Sequence, residues 1–178
     1  MYRFLAFLGL LSLAGALPAE DVYQSPQDFL AGVFAGAPPQ PAVLWLRDEL
    51  RTTSSAILGH PYPGLRIRYW LQDGRSAWIL EETGKEQPIT VGLVVNAEGI
   101  ELVRVLAYRE NRGWEVRYPF FTDQFRGLRL SGPEHALDKS IDGISGATLS
   151  VRALEKLARL ALYLHAQTSS RHDPTAAQ

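Results

Sequence analysis

The chain has no cysteine among its 178 residues. That absence excludes disulfides, thiolate metal sites, iron–sulfur clusters, CxxCH haem attachment, thiol nucleophiles and a lipoprotein anchor. Excess charge of one sign is also missing: 18 basic residues stand against 19 acidic ones, a formal net charge of -1. Nucleic-acid binders usually carry a concentrated basic face, so nucleic acid is not expected among the partners. There is no nucleophile elbow, Walker loop or Rossmann fingerprint. His60, His135, His165 and His172 show no HExxH pattern or close ligand spacing, so no metal site is expected. Any redox chemistry must therefore come from a cofactor held in another way.

Long apolar runs are confined to the N-terminus. Arg3 and the amino group precede an apolar run from Phe4, and Ala14-Gly15-Ala16 forms an A-x-A cleavage site. Residues 1–19 read as a secretory signal peptide, which predicts an extracytoplasmic, periplasmic protein. The competing reading is an uncleaved membrane anchor, although the run before Pro18 is shorter than the ~20 residues a spanning helix needs. Both readings place the remaining chain outside the cytoplasm.

What is present is 46% hydrophobic and long enough for one domain with its own core. Ser25-Pro26 starts a predicted short helix over 26–34, which Ala37-Pro38-Pro39-Gln40-Pro41 ends. Residues 42–46 fit either a strand or the beginning of a helix that continues from Asp48 to about Leu58. Two hairpins follow: 65–71 with 75–82 around Asp73-Gly74, and 89–95 with 100–108 around Asn96-Ala97-Glu98-Gly99. The predicted class is α+β, a twisted antiparallel sheet of about four strands with flanking helices. A single domain is expected over 20–167, with an N-terminal helical extension. A helix from about Thr148 to His165 carries Arg152, Glu155, Lys156 and Arg159 as a polar stripe opposite Val151, Leu154, Ala158, Ala161 and Leu162. On this reading His165 sits in the last turn, where positive charge is favourable, and 168–178 form a flexible tail.

Smaller constellations read as ordinary structure. Arg66 and Arg68 share one strand face, the wet face of a sheet, a dock for an acidic redox partner or a contact for flavin. Glu81 and Glu82 are neighbours on a strand and point to opposite faces, which argues against a paired acid/base site.

The loop DGISGATLS, residues 142–150, runs directly into that last helix. A helix start after glycines and small residues presents free N–H groups and the positive end of the helix dipole, a setting that favours phosphate. The alternative is that Thr148 or Ser150 simply caps the helix, the commonest use of such residues.

Asp142-Gly143-Ile144-Ser145-Gly146-Ala147-Thr148 resembles the D-x-x-(S/T)-G-A-T signature of FMN-binding domains, such as those of the sodium-translocating NADH:quinone oxidoreductase and the related Rnf complex. The resemblance implies FMN joined through its phosphate to Thr148, with Asp142, Ser145, Gly146 and Ala147 as the recognised loop. It also implies an FAD:protein FMN transferase, using FAD and Mg²⁺, as maturation partner. Upstream, Glu110-Asn111-Arg112-Gly113 is similar to the family's E-T-P-G, keeping Glu110 and Gly113, and Gln124-Phe125-Arg126-Gly127 is similar to Q-F-x-G. The likeness covers about 88–165. The function it implies is electron relay between a membrane-bound redox protein and an acceptor, rather than stand-alone enzyme activity. The alternatives are a non-redox interaction or sensing module and a small flavin-dependent reductase. Trp114, Tyr118, Phe121 and Tyr108 are candidates to cover a flavin ring, against the alternative that they are core.

Overall fold

The computed structural model describes residues 21–172; the signal-peptide reading of 1–19 lies outside them. In chain order the elements are β1 (Asp21–Val22), α1 (Pro26–Val33), β2 (Ala42–Trp45), α2 (Asp48–Leu58), β3 (Arg66–Gln72), β4 (Arg75–Thr83), β5 (Pro88–Asn96) and β6 (Gly99–Tyr108). Then follow a 3₁₀ turn (Trp114–Arg117), α3 (Pro119–Thr122), a second 3₁₀ turn (Asp123–Phe125), β7 (Leu130–Ser131), β8 (Ala136–Leu137) and α4 (Thr148–His172).

The α+β class holds, and the sheet is larger than expected. Six strands lie in the order β1-β6-β5-β4-β3-β2, every neighbouring pair antiparallel. The two predicted hairpins form its centre. The two additions are edge strands: 42–45 is a strand, not a helix start, and Asp21–Val22 pairs with the far end of β6. Both are too short for periodicity to reveal, and a neighbour supplies their hydrogen bonds.

One sheet face is covered by α4 and α2, the other by α1. On the first face Leu44, Ile67, Trp78, Leu80, Val91 and Leu93 are buried together with Leu154, Leu157, Ala161 and Leu164 of α4. Leu154, Leu157, Leu160 and Leu164 are all fully buried; each contributes about 1.5–3 kcal/mol by leaving water. On the second face Phe29, Leu30 and Phe34 pack on Ala77, Val94 and Leu106. A Cβ built at Gly92 would lie 2.6 Å from the Phe29 ring, so only glycine lets α1 sit this close to β5.

The Glu81/Glu82 alternation is as expected, with Glu81 exposed and Glu82 buried. The buried carboxylate accepts from His60 Nε2 at 2.8 Å and Lys156 Nζ at 3.1 Å, joining the end of α2 and the middle of α4 to β4. The Pro61 carbonyl, then Glu82, hold the His60 pKa above its ordinary value. An unpaired carboxylate at this depth would be costly, so loss of either partner loosens this junction.

Two expectations about α4 need correction. The helix runs to His172, and Thr168, assigned to the tail, is fully buried with its hydroxyl donating to the His165 carbonyl at 2.8 Å. His165 therefore lies within the helix. Its Nδ1 is 2.7 Å from the Ser76 hydroxyl, and burial holds its pKa below the ordinary value, which favours the neutral ring. The dipole argument for a charged His165 fails because the helix does not end there.

Candidate functional site

The site is built where α4 begins. Ala147 precedes the first helical residue, and the first helical hydrogen bond runs from Val151 N–H to the Ala147 carbonyl at 2.9 Å. The N–H groups before Val151 have no intrahelical partner. Alanine has no side chain with which to cap them. The alternative of a cap by Thr148 or Ser150 is not realised among the described residues: Thr148 is the first residue inside the helix and is exposed. Ser150 is buried with its hydroxyl 2.8 Å from that of Tyr108.

Thr148 opens into a cleft of about 480 Å³. One wall is the first turn of α4 with Gly146 and Ala147; the opposite wall is Lys85, Glu86, Glu110, Asn111 and Arg112. Gly113 lets the two walls meet. Its φ is +84°, and a Cβ there would stand 2.8 Å from the Tyr108 hydroxyl, 3.0 Å from Ala147 Cβ and 3.2 Å from Ser150 Oγ. Behind it the Tyr108 hydroxyl donates to the Arg112 carbonyl, which ties the end of β6 to the turn that follows.

Glu110 has a structural task in this wall. One carboxylate oxygen accepts three successive backbone N–H groups, from Lys85 at 2.5 Å, Glu86 at 2.7 Å and Gln87 at 3.0 Å. Burial pushes its pKa upward, but the three amides together hold it below the ordinary carboxylate range. The charged carboxylate thereby fixes the turn between β4 and β5, and with it the position of Lys85.

Asp142, Gly143 and Ser145 stand outside the cleft lining. Asp142 is exposed and held through its backbone: its N–H donates to Gln124 Oε1 at 2.8 Å. Gln124 is the first residue of the Q-F-R-G stretch, so that stretch positions the start of the loop. Ser145 and Gly143 are exposed, and Gly146 has a φ of +81° at the turn into the helix. Among the aromatic candidates, Phe121 is wholly buried and Tyr108 is 2% exposed, so both are core. Trp114 and Tyr118 stand at the surface, 41% and 38% exposed. Sequence reasoning reached Gln124 only through the Q-F-x-G likeness, and Lys85 gave no signal.

Fold and site together define a class: an α+β domain in which a cleft faces an open helix start, with a threonine hydroxyl that has no hydrogen-bond partner among the described residues. Residues 84–163 match the family model of the FMN-binding domain. The matched stretch contains β5, β6, the Glu110 turn and the start of α4. No curated protein and no solved structure matches the chain.

The donor set suits the phosphate end of FMN. The N–H groups of the first turn of α4 have no partner among the described residues, Lys85 lines the opposite wall, and no acidic side chain lies on the helix side of the cleft. The volume falls within the ~300–1,000 Å³ usual for cofactor-sized sites.

Proposed function

We propose that Thr148 carries FMN through a phosphodiester bond, and that the protein relays electrons outside the cytoplasm between a membrane-bound redox protein and an acceptor. The observation that carries the reading is the unengaged Thr148 hydroxyl on an uncapped helix start inside the cleft. A threonine that capped its helix would have its oxygen on an N–H group and would be a poor nucleophile. Here the oxygen is exposed and the helix keeps its donors for a phosphate.

Attachment balances as a transfer from FAD by an FAD:protein FMN transferase. Thr148 Oγ bonds to the FMN phosphorus, the pyrophosphate bond breaks, AMP departs, and the hydroxyl proton is released. Bound FMN supplies reversible electron transfer through its ring. The chain's own residues would hold and orient it: α4 N–H groups and Lys85 would meet the phosphate, while Glu110 fixes the turn that presents Lys85.

Relay is favoured over a reductase with its own substrate by the carboxylates of the cleft. Glu110 is tied to three amides, and Glu86 is exposed and paired with Lys85 at 3.2 Å. Neither is placed as a proton donor to a substrate, whereas an electron carrier needs none.

The test is intact mass and visible absorbance of the exported protein, made with and without the transferase, beside Thr148→Ala. Wild type plus transferase gains the mass of FMN less water and turns yellow, and the variant does neither. A colourless, unmodified wild type, under conditions that load a control domain, leaves the non-redox module as the reading.

A further inference from the structure

Beside the cleft, the surface is more aromatic than a soluble face requires. Trp114, Tyr118 and Phe120 are 41%, 38% and 65% exposed, and Val22 is 56% exposed. The rings form a row, Trp114 edge-on to Tyr118 at 5.7 Å between centroids and Tyr118 next to Phe120 at 6.3 Å. The Arg117 guanidinium lies over Tyr23 at 4.2 Å, Tyr118 at 4.9 Å and Trp114 at 5.3 Å. Arg117 and Arg104 also line a groove of about 480 Å³ between Tyr23 and Tyr118. Arg104 is exposed and makes no ion pair or hydrogen bond among the described residues.

We propose that this face seats on a phospholipid surface, with Trp114, Tyr118 and Phe120 in the interfacial layer and Arg104 and Arg117 at lipid phosphates. Three observations single out lipid as the occupant. Amphipathic aromatic rings with a polar end are the side chains that settle at membrane interfaces, and arginine gains there from anionic headgroups. The second is the arginines: Arg117 sits against three rings and donates to the Tyr118 hydroxyl at 3.2 Å, the Arg104 side chain is uncommitted among the described residues, and both line one groove. The third is position. In sequence, the apolar run from Phe4, read above as a signal or anchor, precedes β1, and Tyr23, which follows β1, lines this groove.

The consequence for the cleft is orientation. Trp114 directly follows Gly113, which packs against Ala147 and Ser150 at the start of α4. Seating the aromatic row would hold the Thr148 cleft beside the membrane. The inference does not require that Thr148 be flavinylated and can be tested on protein without flavin.

The test is tryptophan fluorescence of the exported chain with vesicles of phosphatidylcholine and phosphatidylglycerol whose acyl chains carry bromine, a contact quencher. Wild type is compared with Trp114→Phe and Trp45→Phe. Trp45 is 45% exposed on β2, the opposite edge strand, and so serves as an internal control. Quenching present in wild type and Trp45→Phe, and reduced several-fold in Trp114→Phe, supports the seating. The assay reports which ring meets lipid whether or not residues 1–20 are retained. Arg104→Gln is expected to lower partition into anionic vesicles about fivefold, as loss of one interfacial cation implies, and to leave neutral vesicles unaffected. Absence of quenching, or quenching that follows Trp45, overturns the proposal. So does a face inert to vesicles at which Trp114→Phe instead slows exchange with a protein donor.

Discussion

Two helices of this domain begin beside hydroxyl residues, and their starts are finished in opposite ways. At α1, Ser25 Oγ accepts the Asp28 N–H at 3.0 Å and donates to the Asp28 carboxylate at 2.7 Å, while Pro26 has no N–H to satisfy. That start is closed. At α4 the cap position is Ala147, Thr148 faces solvent, and Ser150 is turned away to Tyr108. The second helix therefore keeps both its N–H groups and a hydroxyl for something that the described residues do not supply. A hydroxyl near a helix start is common; one left unused beside unused donors, in a cleft, is what separates a site from a cap.

The largest effect expected from this contrast is on loading. Thr148→Ala should abolish the FMN mass gain, and Thr148→Ser should retain it at lower yield, since only the nucleophilic oxygen is indispensable. Loading that moves to Ser145 or Ser150 in the alanine variant, read by peptide mass mapping, would break the contrast between the engaged and the free hydroxyl. Next is Gly113→Ala. A Cβ there carries the strain of positive φ and presses on Ala147 at 3.0 Å, so a cost of about 2–3 kcal/mol is expected in urea unfolding. The start of α4 must shift to admit the methyl group, so loading should fall with stability.

The contrast was only half legible in the sequence. Ser25-Pro26 could be read as a start because a cap acts within three residues, and the observed bond is that local one. At DGISGATLS the same local rules offered Thr148 or Ser150 as caps, and only tertiary contacts decide otherwise. Ser150 is claimed by Tyr108, 42 positions earlier in the chain, and Gly113 packs against Ala147 across a similar separation. The hairpins were legible because alternation and Asp73-Gly74 are local signals. Of the edge strands, 42–45 was legible only as one of two alternatives and Asp21–Val22 not at all, since a partner rather than a pattern makes them. His165 was misplaced for a related reason: the polar sequence after Gln167 looked like a frayed end, whereas packing of Thr168 continues the helix.

Glu110→Gln probes the far wall. An amide oxygen can still accept hydrogen bonds but lacks the charge that the three N–H groups favour, and partial exposure limits the cost to about 1 kcal/mol at neutral pH. Glu110 has a depressed pKa in the folded protein, so its contribution is present above the ordinary glutamate value of ~4.3 and is lost as pH falls through the lower folded value. Urea unfolding between neutral and acid pH should therefore show a shallower acid decline in the variant. Parallel profiles would mean that the carboxylate holds the turn without a charge-dependent contribution.

The smallest effects decide the comparison most directly, because they concern stability without flavin. Ser25→Ala removes a cap with a 3.0 Å bond to Asp28 N–H and should cost about 1 kcal/mol. Thr148→Ala removes a hydroxyl with no partner among the described residues, at an exposed first-turn position where alanine has the better helix propensity. Its unfolding free energy without flavin should stay within about 0.5 kcal/mol of wild type. A loss at Thr148 as large as that at Ser25 would mean that the two starts are capped alike, and the case for a reserved hydroxyl would fail whatever the cleft contains. An unequal pair, with Ser25 costly and Thr148 free, assigns the Thr148 oxygen to chemistry rather than to folding.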